Sequence, residues 1–304
     1  MSDLHHVQPS PIARRDFVQR MALAGGGLSV AAAAGCGAAG GTGVSEAVRV
    51  AEETAPMPST EFDLYHEVYG EGPPVVFAHG AGGTHMSWWK QIPTFSQEFT
   101  CITYAQRGFG FSPDVRDGPG RGAFVEDLRS LLDTLGIERA SLIGQSMGGR
   151  SVLGFAAAYP ERVDALVMSS TTGGYRDDDL DAVRAAAPEL GRRSAFSASF
   201  AERDPEGAFL YRMVSRTNQH LAEPDDDTPP VEVPMPDIER IVAAGVRTLF
   251  LVGERDTIVP PTVTKALHAK MTGSTLATFA ESGHSPYWEV PEEFNRVVLD
   301  FLRA

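Results

Sequence analysis

The sequence predicts an α/β protein built on a mostly parallel sheet flanked by helices. Three observations predict it. Short, nearly continuous apolar runs recur from about residue 58 onward, helical patterns fall between them, and glycine and polar residues gather where the runs end. Runs that are apolar throughout read as strands buried on both faces, as parallel sheets require. Their alternation with helices selects an open α/β sheet.

The elements follow in order. Residues 61–72, EFDLYHEVYGEG, alternate and end in a glycine turn, which reads as an opening antiparallel strand or hairpin. Buried strands are expected in PVVFAHG (74–80), TCITYAQRG (100–108), ASLIGQS (140–146), VDALVMSS (163–170), RTLFLVGERD (247–256) and LATFAESGH (276–284). Between them, residues 124–136 place Val125, Leu128, Leu131, Leu132 and Leu135 on one stripe and close on Gly136, a helix with a glycine stop. Residues 147–159 are small and apolar, so their helix should pack tightly on the sheet. Residues 291–302 open with a proline and form a closing helix. Residues 173–236 hold no buried strand but carry helical stretches and end in the proline-rich EPDDDTPPVEVPMP. An insertion of that length reads as a helical lid over the carboxyl edge of the sheet.

The first 36 residues stand apart. Arg14-Arg15-Asp16-Phe17-Val18 precedes an Ala/Gly-rich stretch that ends at Cys36, the pattern of an export signal. The paired arginines resemble a twin-arginine address, and the small residues before Cys36 resemble a bacterial lipoprotein box. The expectation is an exported, periplasmic protein, anchored to the membrane by a lipid on Cys36. The middle of the signal is too short and glycine-rich for a stable span. Residues 37–57 are small and polar, a flexible tether to a domain at 58–304.

Composition narrows the function. Of 304 residues, 42% are hydrophobic and 22% charged, enough apolar content for a full core. The net charge of −14, with Lys+Arg 26 against Asp+Glu 40, argues against nucleic acid, which needs clustered cations. There are two cysteines, Cys36 and Cys101. With Cys36 acylated or removed no disulfide can form, and Cys101, in a strand-like run, reads as a small buried hydrophobe. His79 and His85 share a loop without a second pair of ligands, so no zinc pattern is present. No metal or cofactor is expected.

Ligand sites in open α/β sheets form beyond the carboxyl ends of the strands, and the chemically suggestive residues sit there. Gly144-Gln145-Ser146-Met147-Gly148 fits G-x-S-x-G between a strand and a helix, the frame that gives the motif meaning. Ser146 would sit on a strained turn with Gly144 and Gly148 removing side chains that would collide. A serine hydroxyl needs a base, and the base an orienting acid. Asp256 ends one strand and His284 follows the last, in the chain order serine, acid, histidine. Of the other histidines, His5 and His6 precede the signal, His220 lies in the lid, and His268 reads as an exposed helix residue. Backbone N–H groups to meet a developing oxyanion are expected from Met147 and, in HGAGG, from Ala81 before Gly82.

These residues carry a resemblance. VVFAHGAGG, QRGFGFS, GQSMGG, GERDTIVP and SGHSPYWEVPEEFN are similar to words of the α/β-hydrolase superfamily, within its compact, helical-lidded branch of enol-lactonases, carbon–carbon bond hydrolases, cofactor-free haloperoxidases and esterases. The resemblance implies a mostly parallel eight-stranded sheet with a helical lid inserted late. It implies a Ser146–His284–Asp256 triad, an Ala81/Met147 oxyanion hole, and hydrolysis of an ester, lactone or related small-molecule carbonyl substrate through an acyl-enzyme. On the same triad, peroxide in place of water would give perhydrolase or haloperoxidase activity. Carbon–carbon hydrolysis is also open, though Gln145 stands where those enzymes usually carry Asn. A lipid-anchored binding module is the non-enzymatic alternative. One departure concerns loop support: Ala105 replaces the Asp that the family usually places two residues before RGFG. Trp88, Trp89, Phe109, Met147, Tyr287 and Trp288 lie near the crevice, as do Phe209, Tyr211 and Met213 in the lid, but apolar residues there are more often core than contact, so none is assigned to binding.

Overall fold

Alternation within single strands divides the core into two layers. In strand β2 (Pro74–Ala78), Val76 and Ala78 join one apolar cluster while Val75 and Phe77 join the other. The same split recurs in β4 (Ala140–Gln145), with Leu142 on one face and Ile143 on the opposite one. Successive strand side chains point to opposite faces, so a strand apolar at every position needs helices on both sides.

The computed structural model describes residues 64–114, 118–189, 191–218 and 235–304. The expected export signal, Cys36, the tether and His220 lie outside the described residues. Three other strands, β3 (Thr100–Tyr104), β5 (Val163–Ser169) and β6 (Arg247–Gly253), precede β7 (Thr275–Phe279). With β1 (His66–Tyr69), the sheet order is β1-β3-β2-β4-β5-β6-β7. All pairs are parallel except β1 with β3.

One expectation changes here and another is narrowed. Among the described residues the sheet has seven strands rather than eight. Of the two readings of the opening segment, the structure takes the antiparallel strand and not the hairpin. Gly70 (φ +76°) and Gly72 (φ +131°) carry the chain across to β2, and β1 pairs with β3 instead. Gly70 is packed so closely on the Ser96 and Phe99 backbone that no side chain would fit.

Helix α1 (Phe124–Thr134) buries Leu128, Leu131 and Leu132 and stops where Gly136 (φ +67°) donates to Asp133 O at 3.1 Å. Helix α2 (Gly148–Ala158) runs from the end of β4 and buries Val152, Leu153 and Phe155. Each such side chain contributes roughly 1.5–3 kcal/mol by leaving water. Between β5 and β6 come α3 (Asp178–Ala185), a short turn at Phe200–Arg203, α4 (Pro205–Arg216) and α5 (Met235–Ala243). Asp177 and Asp204 cap α3 and α4, accepting from Leu180 N and Gly207 N at 2.7 Å each. Residues 219–234 of this insertion lie outside the described residues. Helix α6 (Pro261–Lys270) follows β6, and α7 (Pro291–Arg303) closes the fold, burying Phe294, Val298 and Leu302 on one stripe. Among the described residues no helix is long and apolar enough to cross a membrane.

The strand order reverses at β2. From there the chain crosses to β3 on one side and later returns as β4 on the other. Such a switch point opens a crevice at the carboxyl edge. The register places Ala78 opposite Gly144, so the residues after both strands emerge side by side.

Candidate active site

β4 runs straight into a turn that only one geometry satisfies. Ser146 takes φ +50°, a left-handed conformation rare for a residue with a side chain, at a cost of about 1–3 kcal/mol. Surrounding bonds fix it: Ser146 N donates to Ser169 O at 3.0 Å, and Ser146 O accepts from Gly149 N at 3.0 Å and Thr171 Oγ1 at 2.6 Å. The flanking glycines are needed for reasons the motif alone does not give. A side chain at Gly148 would strike the Ala78 and His79 carbonyls of the neighbouring strand end, and one at Gly144 would strike Val152 and the first turn of α2. The collisions are with β2 and α2, not with the serine.

The structure brings Ser146, His284 and Asp256 together from the ends of β4, β7 and β6. His284 Nε2 lies 2.8 Å from Ser146 Oγ, and Nδ1 lies 2.9 and 3.0 Å from the two Asp256 oxygens. Facing a carboxylate, Nδ1 carries the proton, which leaves Nε2 free to accept from the serine hydroxyl. Asp256 is fully buried, and its Oδ1 also accepts from Ile258 N at 2.8 Å and Val259 N at 2.9 Å. The histidine loop is braced twice. Gln145 Nε2 donates to His284 O at 3.0 Å, and the buried Glu289 accepts from Gly283 N at 2.8 Å and from Ser197 N at 3.0 Å. Burial raises the Glu289 carboxyl above its ordinary range, while hydrogen bonds from Ser197, Gly283 and Ser282 oppose the rise.

The HGAGG loop leaves β2 beside this turn. A methyl group on Gly80 would sit 3.2 Å from Ser146 Cβ and overlap the Gln145 amide, so this backbone closes on the serine. Gly83 N donates to Gly80 O at 2.9 Å, bending residues 80–83 into a tight turn with Ala81 exposed at its tip. Met147, at the N-cap of α2, stands where helix N–H groups lack intrahelical partners. Thus both expected oxyanion donors lie on turns that flank Ser146. Gly82, the weaker candidate, is covered by the Tyr211 phenol from α4.

Ala105 does not leave its loop unsupported. Gln106 N donates to His79 Nε2 at 3.0 Å and Gln106 Nε2 to His79 O at 2.6 Å, while Arg107 Nε donates to the buried Asp127 at 2.8 Å. His79 is fully buried, donates from Nδ1 to Gly80 O at 2.8 Å, and is held neutral, its pKa pushed down to about 4 by burial. An unfolded histidine takes its proton near 6.5, so below that pH the unfolded chain binds more protons than the folded one. Stability therefore falls with acidification from pH 6.5 toward 4, by about 3 kcal/mol in all from this group. Thermal melts of the wild type and of His79→Asn from pH 7 to 4.5 should diverge, the wild type losing stability more steeply. Parallel curves would remove His79 as the cause.

The structure sorts the pocket candidates. Trp88, Tyr287 and Trp288 are core residues of the face that carries α7, and Trp89 is exposed. Phe109 and Met147 form a small cluster with Phe124 beside the site, Phe109 packing edge-on to His79. In α4, Phe209 and Met213 point to solvent while Tyr211 turns inward, against Trp288 and Phe196. Cys101 is buried, its thiol pushed up to about 12. His268 is partly buried and bonded to Ser274 at 2.7 Å rather than exposed. Sequence reading missed the bracing roles of Gln145, Gln106 and Glu289.

The family model described as alpha/beta hydrolase fold matches residues 73–229. A 2-hydroxy-6-oxononadienedioate/2-hydroxy-6-oxononatrienedioate hydrolase of Paraburkholderia xenovorans (strain LB400) is 31% identical, the match covering 80% of this chain and 91% of that protein. Among solved structures, a bromoperoxidase from Bacillus anthracis has a TM-score of 0.67 at 24% identity, covering 79% of this chain and 95% of its own. A thermophilic esterase from Thermogutta terrifontis has a TM-score of 0.63 at 25% identity, covering 79% and 93%.

Proposed function

Because the chain belongs to the α/β-hydrolase family, we propose that it is a serine hydrolase cleaving an ester, lactone or related small-molecule carbonyl compound through an acyl-enzyme. The observation that carries this reading is the unbroken run of contacts from Ser146 Oγ through the His284 ring to Asp256, at 2.8 and 2.9 Å.

In the first half-reaction Ser146 Oγ attacks the carbonyl carbon as its proton passes to His284 Nε2. The imidazolium formed is stabilised by the buried Asp256 carboxylate, which also fixes the ring. Charge moves onto the carbonyl oxygen, which the N–H groups of Met147 and Ala81 would receive. Collapse breaks the bond to the leaving oxygen, which takes the proton from His284. Water then repeats the sequence on the acyl carbon and frees the acid.

A second reading, carbon–carbon hydrolysis of a dienoate, is favoured by the Paraburkholderia relative, whose name describes that class of substrate. Turnover of short- and medium-chain aryl esters, lactones and a 2-hydroxy-6-oxo-dienoate by the full chain separates the two. Turnover of esters or lactones with a fluorophosphonate adduct on Ser146 is the expected result. Preference for the dienoate moves the assignment to the second reading, and a folded wild type that neither labels nor turns over overturns both.

A further inference from the structure

The lid insertion touches the oxyanion loop directly. Asn218, two residues past the end of α4, donates from Nδ2 to Gly83 O at 3.0 Å and accepts at Oδ1 from Gly110 N at 2.9 Å. The amide can sit only one way round, since a backbone N–H only donates and a carbonyl only accepts. From α4 itself, the Tyr211 hydroxyl covers Gly82 and faces Ser285, the neighbour of His284.

We infer that Asn218 is a positioning residue: it holds the Gly80–Gly83 turn, and with it the Ala81 N–H, at the distance from Ser146 that the oxyanion needs. This rests on the nucleophile reading above. Gly83 is where Asn218 meets the turn. Its N–H closes the turn on Gly80 O, and the chain beyond it is pinned, Thr84 N donating to Ser87 Oγ at 3.0 Å. With the downstream side fixed, the Gly83 carbonyl sets the tilt of the peptides before it, and Asn218 is what grips that carbonyl. Its other arm ends on Gly110, in the loop whose Phe109 packs on His79 and whose Gln106 bonds the same histidine. One side chain thus ties the lid, the turn after β2 and the loop after β3. Placement of the lid then governs the chemical step as well as access.

The test uses the full chain as wild type, Ser146→Ala, Asn218→Ala and Asn218→Asp. For each, kcat and KM on an aryl ester, the rate of fluorophosphonate labelling, the pH–rate profile and the melting temperature are measured. Displacing a fixed donor by a fraction of an ångström to an ångström costs about ten- to a hundredfold in rate. Asn218→Ala should lower kcat by that factor, with KM within about twofold, labelling slowed in parallel and the apparent pKa of the profile unmoved. Asn218→Asp keeps the acceptor for Gly110 but faces Gly83 O with a carboxylate oxygen, so it should fall at least as far. It also carries the test if the alanine variant does not fold. Wild-type behaviour of Asn218→Asp would show the Gly83 arm idle and overturn the inference. So would a raised KM at unchanged kcat, or a lowered melting temperature with kcat intact. Those outcomes leave the nucleophile reading standing. A folded wild type that neither labels nor turns over removes that reading and this one with it.

Discussion

Ser146→Ala is expected to lower kcat by about 10⁴- to 10⁶-fold while the fold persists. The hydroxyl is the only group of the turn that bonds to His284 Nε2, at 2.8 Å, whereas the turn itself is held by backbone bonds to Ser169, Gly149 and Thr171 that alanine keeps. The residual rate would come from the oxyanion donors and from substrate binding. Adding His284→Ala to Ser146→Ala should cost little more, because the two groups act as one unit. Retention of more than a tenth of wild-type kcat by the single variant would remove Ser146 as nucleophile.

The second large effect belongs to Asp256→Asn, with an expected loss of about 10³- to 10⁴-fold in kcat. The two carboxylate oxygens are not equivalent. Ile258 N and Val259 N both donate to Oδ1, so an asparagine would seat its carbonyl oxygen there. Its NH2 would then occupy the position of Oδ2, 2.9 Å from His284 Nδ1. An N–H on Nδ1 would then meet that NH2 and could reach only the carbonyl at the Oδ1 position, 3.0 Å away and already accepting from two backbone N–H groups. The imidazole proton would therefore shift to Nε2, which can then no longer accept from Ser146. The downfield proton NMR signal expected of Nδ1–H in the wild type should disappear in the variant, and kcat should fall with it. A variant that keeps that signal and its rate would show that the acid does not set the tautomer.

The architecture and the three converging side chains were legible because each depends on residue type at a local position. A hydrophobic run that ends in G-x-S-x-G, or in Asp or His beyond a strand, needs no knowledge of distant partners. The braces were not legible for the converse reason. Asn218 and Gln106 bond backbone atoms of glycine and histidine turns, and backbone groups carry no sequence signal. Glu289 stood in a recognisable word together with its partner Gly283, yet its other partner, Ser197, comes from the insertion between β5 and β6. The tryptophans were ambiguous for another reason. Trp88 and Trp288 are core-packed large apolar groups, and composition near a crevice does not distinguish packing from contact. The opening segment was legible as an antiparallel strand or hairpin but its partner was not, because a glycine turn announces a change of direction without naming the strand that pairs.

The pairing of Ala78 with Gly144 has an outcome for any preparation of this protein. Sliding β2 by a single step against its neighbour would exchange the two faces of the strand and carry the HGAGG turn away from the serine. Molecules so misassembled would stay compact and look sound by size or by far-ultraviolet spectrum. Covalent titration of Ser146 would therefore count the molecules whose ladder closed correctly, which bulk measures of folding do not.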